Sequence, residues 1–171
     1  MKVEEAIKTA IEYEKKVTAT YAQAEAKAAD PVAKRVLTVL AGEEKRHVEY
    51  LESRLGEWTR TGKVTAAALG TALPAKPVIL AGVKTLKQRM KMSAADRESS
   101  LKTLQRALDV EVETSEFYQR MVDTLPGEAR SMFARFLEIE QGHQAIVAAE
   151  LDSVRGLGFW FDYREFDLEA G

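Results

Sequence analysis

The sequence predicts an all-α protein, an antiparallel four-helix bundle built from two helix hairpins joined by a long crossover connector. Three observations predict it. Ala, Glu, Leu, Lys and Arg dominate a 171-residue chain, favouring helix over strand. Four segments repeat their apolar residues every three or four positions, the seam of a bundle. The breaks within each hairpin are very short, which places consecutive helices antiparallel.

The first segment runs from about 2 to 29, with Ile7, Ile11, Glu14, Thr18 and Tyr21 on one stripe. Asp30-Pro31 interrupts it, and Pro31 suits the first turn of the next helix, with Asp30 as its cap. The second stripe is Leu37, Leu40, Glu44, His47, Leu51 and Leu55, with Gly56 as the expected stop. The third helix is expected from Ser93, where Asp96 falls in the first turn; its stripe is Leu104, Leu108, Glu111, Ser115, Tyr118 and Val122. Leu125-Pro126-Gly127 turns the chain. The fourth stripe is Phe133, Phe136, Glu140, His143, Val147, Leu151 and Val154, ending near Gly156.

The bundle is expected over 1–156. Its connector, about 57–92, is too apolar for a free linker, and Val78–Met90 has the spacing of a short packed helix. The tail, 157–171, crowds Phe159, Trp160, Phe161, Tyr163 and Phe166 together, rings that need burial on the bundle or on a partner chain. A net charge of -2 gives no electrostatic case for nucleic acid. No apolar run approaches membrane-spanning length and no signal peptide opens the chain, so the expectation is a soluble, cytoplasmic protein. Cysteine is absent, which excludes disulfides, thiolate metal sites and a cysteine nucleophile.

The halves repeat each other. A shift of 97 residues carries Ile11 onto Leu108, Glu14 onto Glu111 and Tyr21 onto Tyr118. A shift of 96 carries Leu40 onto Phe136, Glu44 onto Glu140 and His47 onto His143. The chain has two histidines, and each follows a glutamate by three residues, in Glu44-Lys45-Arg46-His47 and Glu140-Gln141-Gly142-His143. That spacing puts both side chains on one helix face. Glu14 and Glu111 lie on the seams of the partner helices. Four carboxylates and two imidazoles therefore point inward near the middle of the bundle. Burying one isolated carboxylate costs several kcal/mol, and four together repel. Two divalent cations would balance them. Oxygen and imidazole donors suit iron or manganese, and zinc can intrude. The set matches the di-iron and di-manganese bundle pattern of one Glu from each of two helices and Glu-x-x-His from the other two.

Tyr21 and Tyr118 sit two turns after Glu14 and Glu111; they are either core aromatics or donors to a ligand carboxylate. Glu12, Glu43, Glu113 and Glu138 fall off the seam and are expected to be exposed. Gly142, beside His143, either opens space near the metals or permits close helix packing.

The chain resembles the rubrerythrin-type members of the ferritin-like superfamily over both hairpins. The residues that carry the resemblance are Ala10-Ile11-Glu12-Tyr13-Glu14 with Tyr21, Leu40-Ala41-Gly42-Glu43-Glu44 with His47, Glu111 with Phe117-Tyr118, and Glu140 with His143. The resemblance implies two iron ions per chain, held by Glu14, Glu44, His47, Glu111, Glu140 and His143, that react with hydrogen peroxide or dioxygen. Glu44 and Glu140 are the expected bridges. Typical rubrerythrins append a cysteine-bearing rubredoxin domain as electron donor. This chain has no cysteine, so an external donor such as a rubredoxin is implied. They also carry a further glutamate one turn after the third-helix ligand, where this chain has Thr114. A homodimer is expected. The alternatives are iron storage by a ferritin-like oligomer and a di-iron hydroxylase.

Overall fold

Each stripe becomes a helix in the computed structural model: α1, Val3–Lys27; α2, Pro31–Thr61; α3, Ala94–Thr124; α4, Gly127–Arg155. The structure describes residues 2–28, 31–74, 76, 77, 79 and 94–156. The tail at 157–171, nearly all of the helix expected over Val78–Met90, and the caps expected at Asp30 and Ser93 lie outside them. No helix among the described residues is long and apolar enough to cross a membrane.

The apolar seams form two core clusters. One holds Val17, Tyr21 and Ala24 of α1, Val36, Leu37 and Leu40 of α2, Leu104 to Val110 of α3 and Ala145 to Val154 of α4. The other holds Ala6 to Ile11 of α1, Leu51 of α2, Phe117 to Met121 of α3 and Ala129 to Ile139 of α4. On every helix a polar ligand candidate separates the two: Glu14, Glu44 with His47, Glu111, and Glu140 with His143. The order in which the chain meets the clusters gives the direction of each helix. α1 and α4 run one way, α2 and α3 the other. The end of α2 and the start of α3 therefore lie at opposite ends of the bundle, so their connection must travel its length.

The described part of that connection does so. Val64 and Leu69 are buried in the cluster where α2 ends, and Ile79 in the cluster where α3 begins. The close helix pairs are α1 with α2, α3 with α4 and α1 with α3. α2 and α4 stand further apart, and residues 63–74 lie over them as an extended strap. Side chains of those two helices satisfy the strap's backbone. Glu57 accepts from Thr65 N–H at 3.2 Å and Glu128 from Ala66 N–H at 2.9 Å. Tyr50 donates to Ala67 C=O at 2.8 Å, and Arg135 to Leu69 C=O at 3.1 Å. Glu43 accepts from Ala72 N–H at 3.2 Å.

Two expectations are corrected. Helix α2 does not stop at Gly56; it continues to Thr61 and ends at Gly62, whose φ of 66° is the left-handed value and whose N–H bonds to Trp58 C=O at 2.8 Å. The connector accordingly starts at Gly62 rather than 57. Gly56 is a tolerated helix-interior glycine, and the extra turns place Glu57 to hold the strap. Glu43 is not exposed but fully buried. Its flank of α2 would face solvent in a bare bundle, and the strap covers it.

The corrected boundary predicts opposite effects for two alanines. Gly56→Ala should raise stability by about 0.8–1 kcal/mol, since nothing lies within 4 Å of the new methyl and alanine is the better helix former. Gly62→Ala should lower it by about 1–2 kcal/mol, the cost of a side chain in the left-handed region. Urea unfolding of the two variants measures both. A gain at Gly62 would place the end of the helix elsewhere.

Candidate metal centre

Helical spacing delivers the six candidate ligands to one layer. Glu14 comes from α1, Glu44 and His47 from α2, Glu111 from α3, Glu140 and His143 from α4, and all are buried. They form two overlapping quartets, each of which could hold a metal ion: Glu14, Glu44, His47 and Glu140, and Glu44, Glu111, Glu140 and His143. Within each quartet the ligand atoms lie within 4.8 Å of one another. Glu44 and Glu140 belong to both.

The Nδ1 atoms of both imidazoles face the carboxylates. His47 Nδ1 lies 3.2 Å from oxygens of Glu14, Glu44 and Glu140. His143 Nδ1 lies 2.6 Å from Glu44, 3.5 Å from Glu140 and 3.9 Å from Glu111. The rings are stacked, 5.6 Å apart and 8° from parallel. At His47 this proximity includes hydrogen bonds from Nδ1 to Glu14 and Glu44; at His143 it does not. His143 Nδ1, Glu44 Oε1, Glu111 Oε2 and both oxygens of Glu140 are buried without a hydrogen-bond partner among the described residues. Even the 2.6 Å approach of His143 to Glu44 is off the hydrogen-bonding direction. Buried lone pairs that converge without donors fit a cation, because an orphaned buried acceptor is costly and an ion satisfies several at once.

Two tyrosines orient the outer carboxylates, and they do so across the repeat. Tyr21 of α1 donates to Glu111 of α3, and Tyr118 of α3 donates to Glu14 of α1. Each phenol fixes one carboxylate oxygen and leaves the other for the centre. Thr114, one turn past Glu111, is buried, and its hydroxyl donates to its own helix at Val110 C=O, 2.9 Å away. Glu12, Glu113 and Glu138 are exposed. Glu43 is the buried carboxylate that the seam pattern missed. One of its oxygens binds Arg46 and Ala72 N–H, and the other has no hydrogen-bond partner among the described residues. Only the position of the strap reveals it.

Without metal, protons carry the compensation. Burial, reinforced by Glu140 and Glu44, pushes Glu14 and Glu111 well above the usual carboxylate range. Burial acts on Glu44 in the same direction, but the His143 and His47 imidazoles outweigh it and hold Glu44 well below that range. Glu140 is held low against burial and Glu44, by His143 and then His47. Both imidazoles are raised, with Glu44 overcoming the burial that would discharge them. Two carboxylates ionised, two neutral and two imidazoles charged make a neutral cluster. Cation binding there must release protons from Glu14, Glu111, His47 and His143.

No family model matches the chain, and no curated protein matches it. A hypothetical protein from Pyrococcus furiosus has a similar structure, with a TM-score of 0.67, 18% sequence identity and 94% of each chain covered. At that identity the likeness is one of fold.

The proton inventory predicts how the metal-free protein responds to pH. Groups raised in the folded state stabilise it at low pH and lose that contribution as pH rises through their folded pKa. Glu14 and Glu111 begin to lose it above 4.5, and His47 and His143 above 6.5. Glu44 and Glu140, being lowered, lose theirs only as pH falls below 4.5. The cluster's contribution therefore peaks near 4.5 and declines above it. Calorimetry of chelator-treated and metal-loaded protein should show the melting gap widening with pH. A gap that is constant or narrows contradicts this distribution of protons.

Proposed function

We propose that this chain is a non-haem di-iron oxidoreductase that reduces hydrogen peroxide or dioxygen while oxidising ferrous iron. The observation that carries the reading is the pair of overlapping buried quartets sharing Glu44 and Glu140. In this reading Glu44 and Glu140 would be shared between two ions, with Glu14 and His47 available to one and Glu111 and His143 to the other. Held there, a pair of ferrous ions would supply the two electrons needed, with two protons, to reduce one hydrogen peroxide to two waters. Manganese or zinc fits the same donors, but zinc has no redox chemistry to offer.

The chain's own residues supply binding, orientation and exclusion of water. Tyr21 and Tyr118 keep Glu111 and Glu14 aimed inward while the charge at the centre changes. The flanking apolar clusters exclude bulk water, which strengthens every electrostatic interaction at the centre. The protons that Glu14, Glu111, His47 and His143 carry without metal mark these groups as able to hold protons within the layer. Electrons to regenerate the ferrous state come from an external donor such as a rubredoxin, because the chain has no cysteine to carry an iron–sulfur centre.

Metal analysis after anaerobic iron loading should give two ions per chain in the wild type and a loss of at least one in Glu44→Ala or His143→Ala. One ion or none in the wild type would sink the di-iron reading. Stopped-flow oxidation of the ferrous protein then compares the two oxidants. Thr114→Glu, which places a carboxylate where rubrerythrins have one, should shift the ratio of rates toward peroxide severalfold. An unchanged ratio would mean that this position does not set oxidant preference.

A further inference from the structure

The two quartets occupy corresponding places in the repeat, yet they are hydrogen-bonded differently. His47 Nδ1 bonds to Glu14 Oε2 and to Glu44 Oε2, each at 3.2 Å. Its counterpart, His143 Nδ1, is buried with no hydrogen-bond partner among the described residues. Glu14 Oε2 is therefore held by an imidazole. Glu111 Oε2, the oxygen that Tyr21 leaves free, has no hydrogen-bond partner among those residues. A hydroxyl stands one turn further along each helix, and the same contrast holds there. Thr18 donates to Glu14 C=O at 2.7 Å, whereas its counterpart Ser115 is buried without a hydrogen-bond partner among the described residues. The sequence gives the cause. Gln144, whose counterpart in the repeat is Val48, donates to Glu111 C=O at 3.1 Å. A carbonyl has two lone pairs; the helix takes one and Gln144 the other, which leaves none for Ser115.

Glu44 and Glu140 are common to both quartets, so the difference falls on the outer pair of each. A cation entering between Glu14 and His47 takes atoms that already bond each other. It must displace the two hydrogen bonds of His47 Nδ1. A cation entering between Glu111 and His143 takes atoms with no such bond to lose, and it relieves buried groups whose isolation is costly. The tyrosine bonds do not separate the two cases, because each phenol bonds to Oε1 of its carboxylate and leaves Oε2. Ser115 shows that the shortage of partners belongs to this side of the layer rather than to one ring.

We propose that the two sites fill in order: a divalent cation enters the quartet of Glu44, Glu111, Glu140 and His143 first, and the quartet of Glu14, Glu44, His47 and Glu140 second. The proposal rests on the two-metal reading above and adds an order to it. Zinc is the probe, because its filled d shell makes it diamagnetic and without redox chemistry. Chelator-treated protein is titrated with zinc while its imidazole NMR resonances are followed. The chain has two histidines, one in each quartet, so each imidazole reports one site. The first equivalent should move the His143 resonances, and those of His47 should move only with the second. The first step should be tighter by about tenfold or more, the worth of the bonds displaced in the second. Glu111→Gln should lose the tight step and Glu14→Gln should keep it; glutamine has nearly the same shape and an oxygen for the tyrosine. The wild-type resonances decide the order even where a variant fails to fold. Both histidines moving together, or His47 moving first, overturns the proposal and leaves the two-metal reading intact. So does Glu14→Gln protein that loses the tight step. Wild-type protein that takes up fewer than two zinc ions overturns both.

Discussion

Four carboxylates in one buried layer set the terms for the rest of this molecule. Their desolvation and mutual repulsion must be offset at the same place, by positive charge or by protons on the carboxylates themselves. The structure provides the means twice. Two imidazoles enter the layer with the carboxylates, and the unpartnered oxygens converge where a cation would complete them. Everything apolar is arranged around this need. The hydrophobic cores lie on either side of the layer, so apolar burial is concentrated toward the ends of the bundle while the waist holds the polar groups.

The direction of the helices creates a second requirement. With α2 and α3 pointing the same way, the chain must travel the length of the bundle between them. It uses that path to cover the side where the two Glu-x-x-His helices stand apart. An extended segment makes few hydrogen bonds within itself, and its backbone groups take partners elsewhere. Glu43, Tyr50, Glu57, Glu128 and Arg135 supply them from the helices beneath. Those side chains hold the cover rather than the bundle.

The sequence made the bundle and the ligand layer legible because both are written in helical spacing. A glutamate three residues before a histidine and an offset that repeats between halves are one-dimensional signals. Glu43 was not legible. It lies one residue, and so about a quarter turn, from Glu44, on a flank that is exposed or buried according to where a distant strap crosses. Gly56 misled for a related reason. A glycine signals a helix end only where the backbone turns left-handed, and that condition is met six residues later at Gly62. The donor bonds of Tyr21 and Tyr118 fell between these cases. Spacing placed both rings on the seam, but which carboxylate each would hold depends on how α1 and α3 face one another.

That exchange of phenols has a consequence for how such a molecule can arise. Each hairpin's tyrosine serves the other hairpin's glutamate, and each candidate ligand quartet draws on both hairpins. Neither half could make this layer alone, whereas two identical halves related by a twofold axis could make all of it. The contacts between the halves are those of an isologous dimer, in which each group meets its counterpart reciprocally. On this view the strap is a later join between subunits that already fitted. A chain built this way can differ between its halves on the outer faces, while the reciprocal bonds at the waist require matching groups on the inner ones.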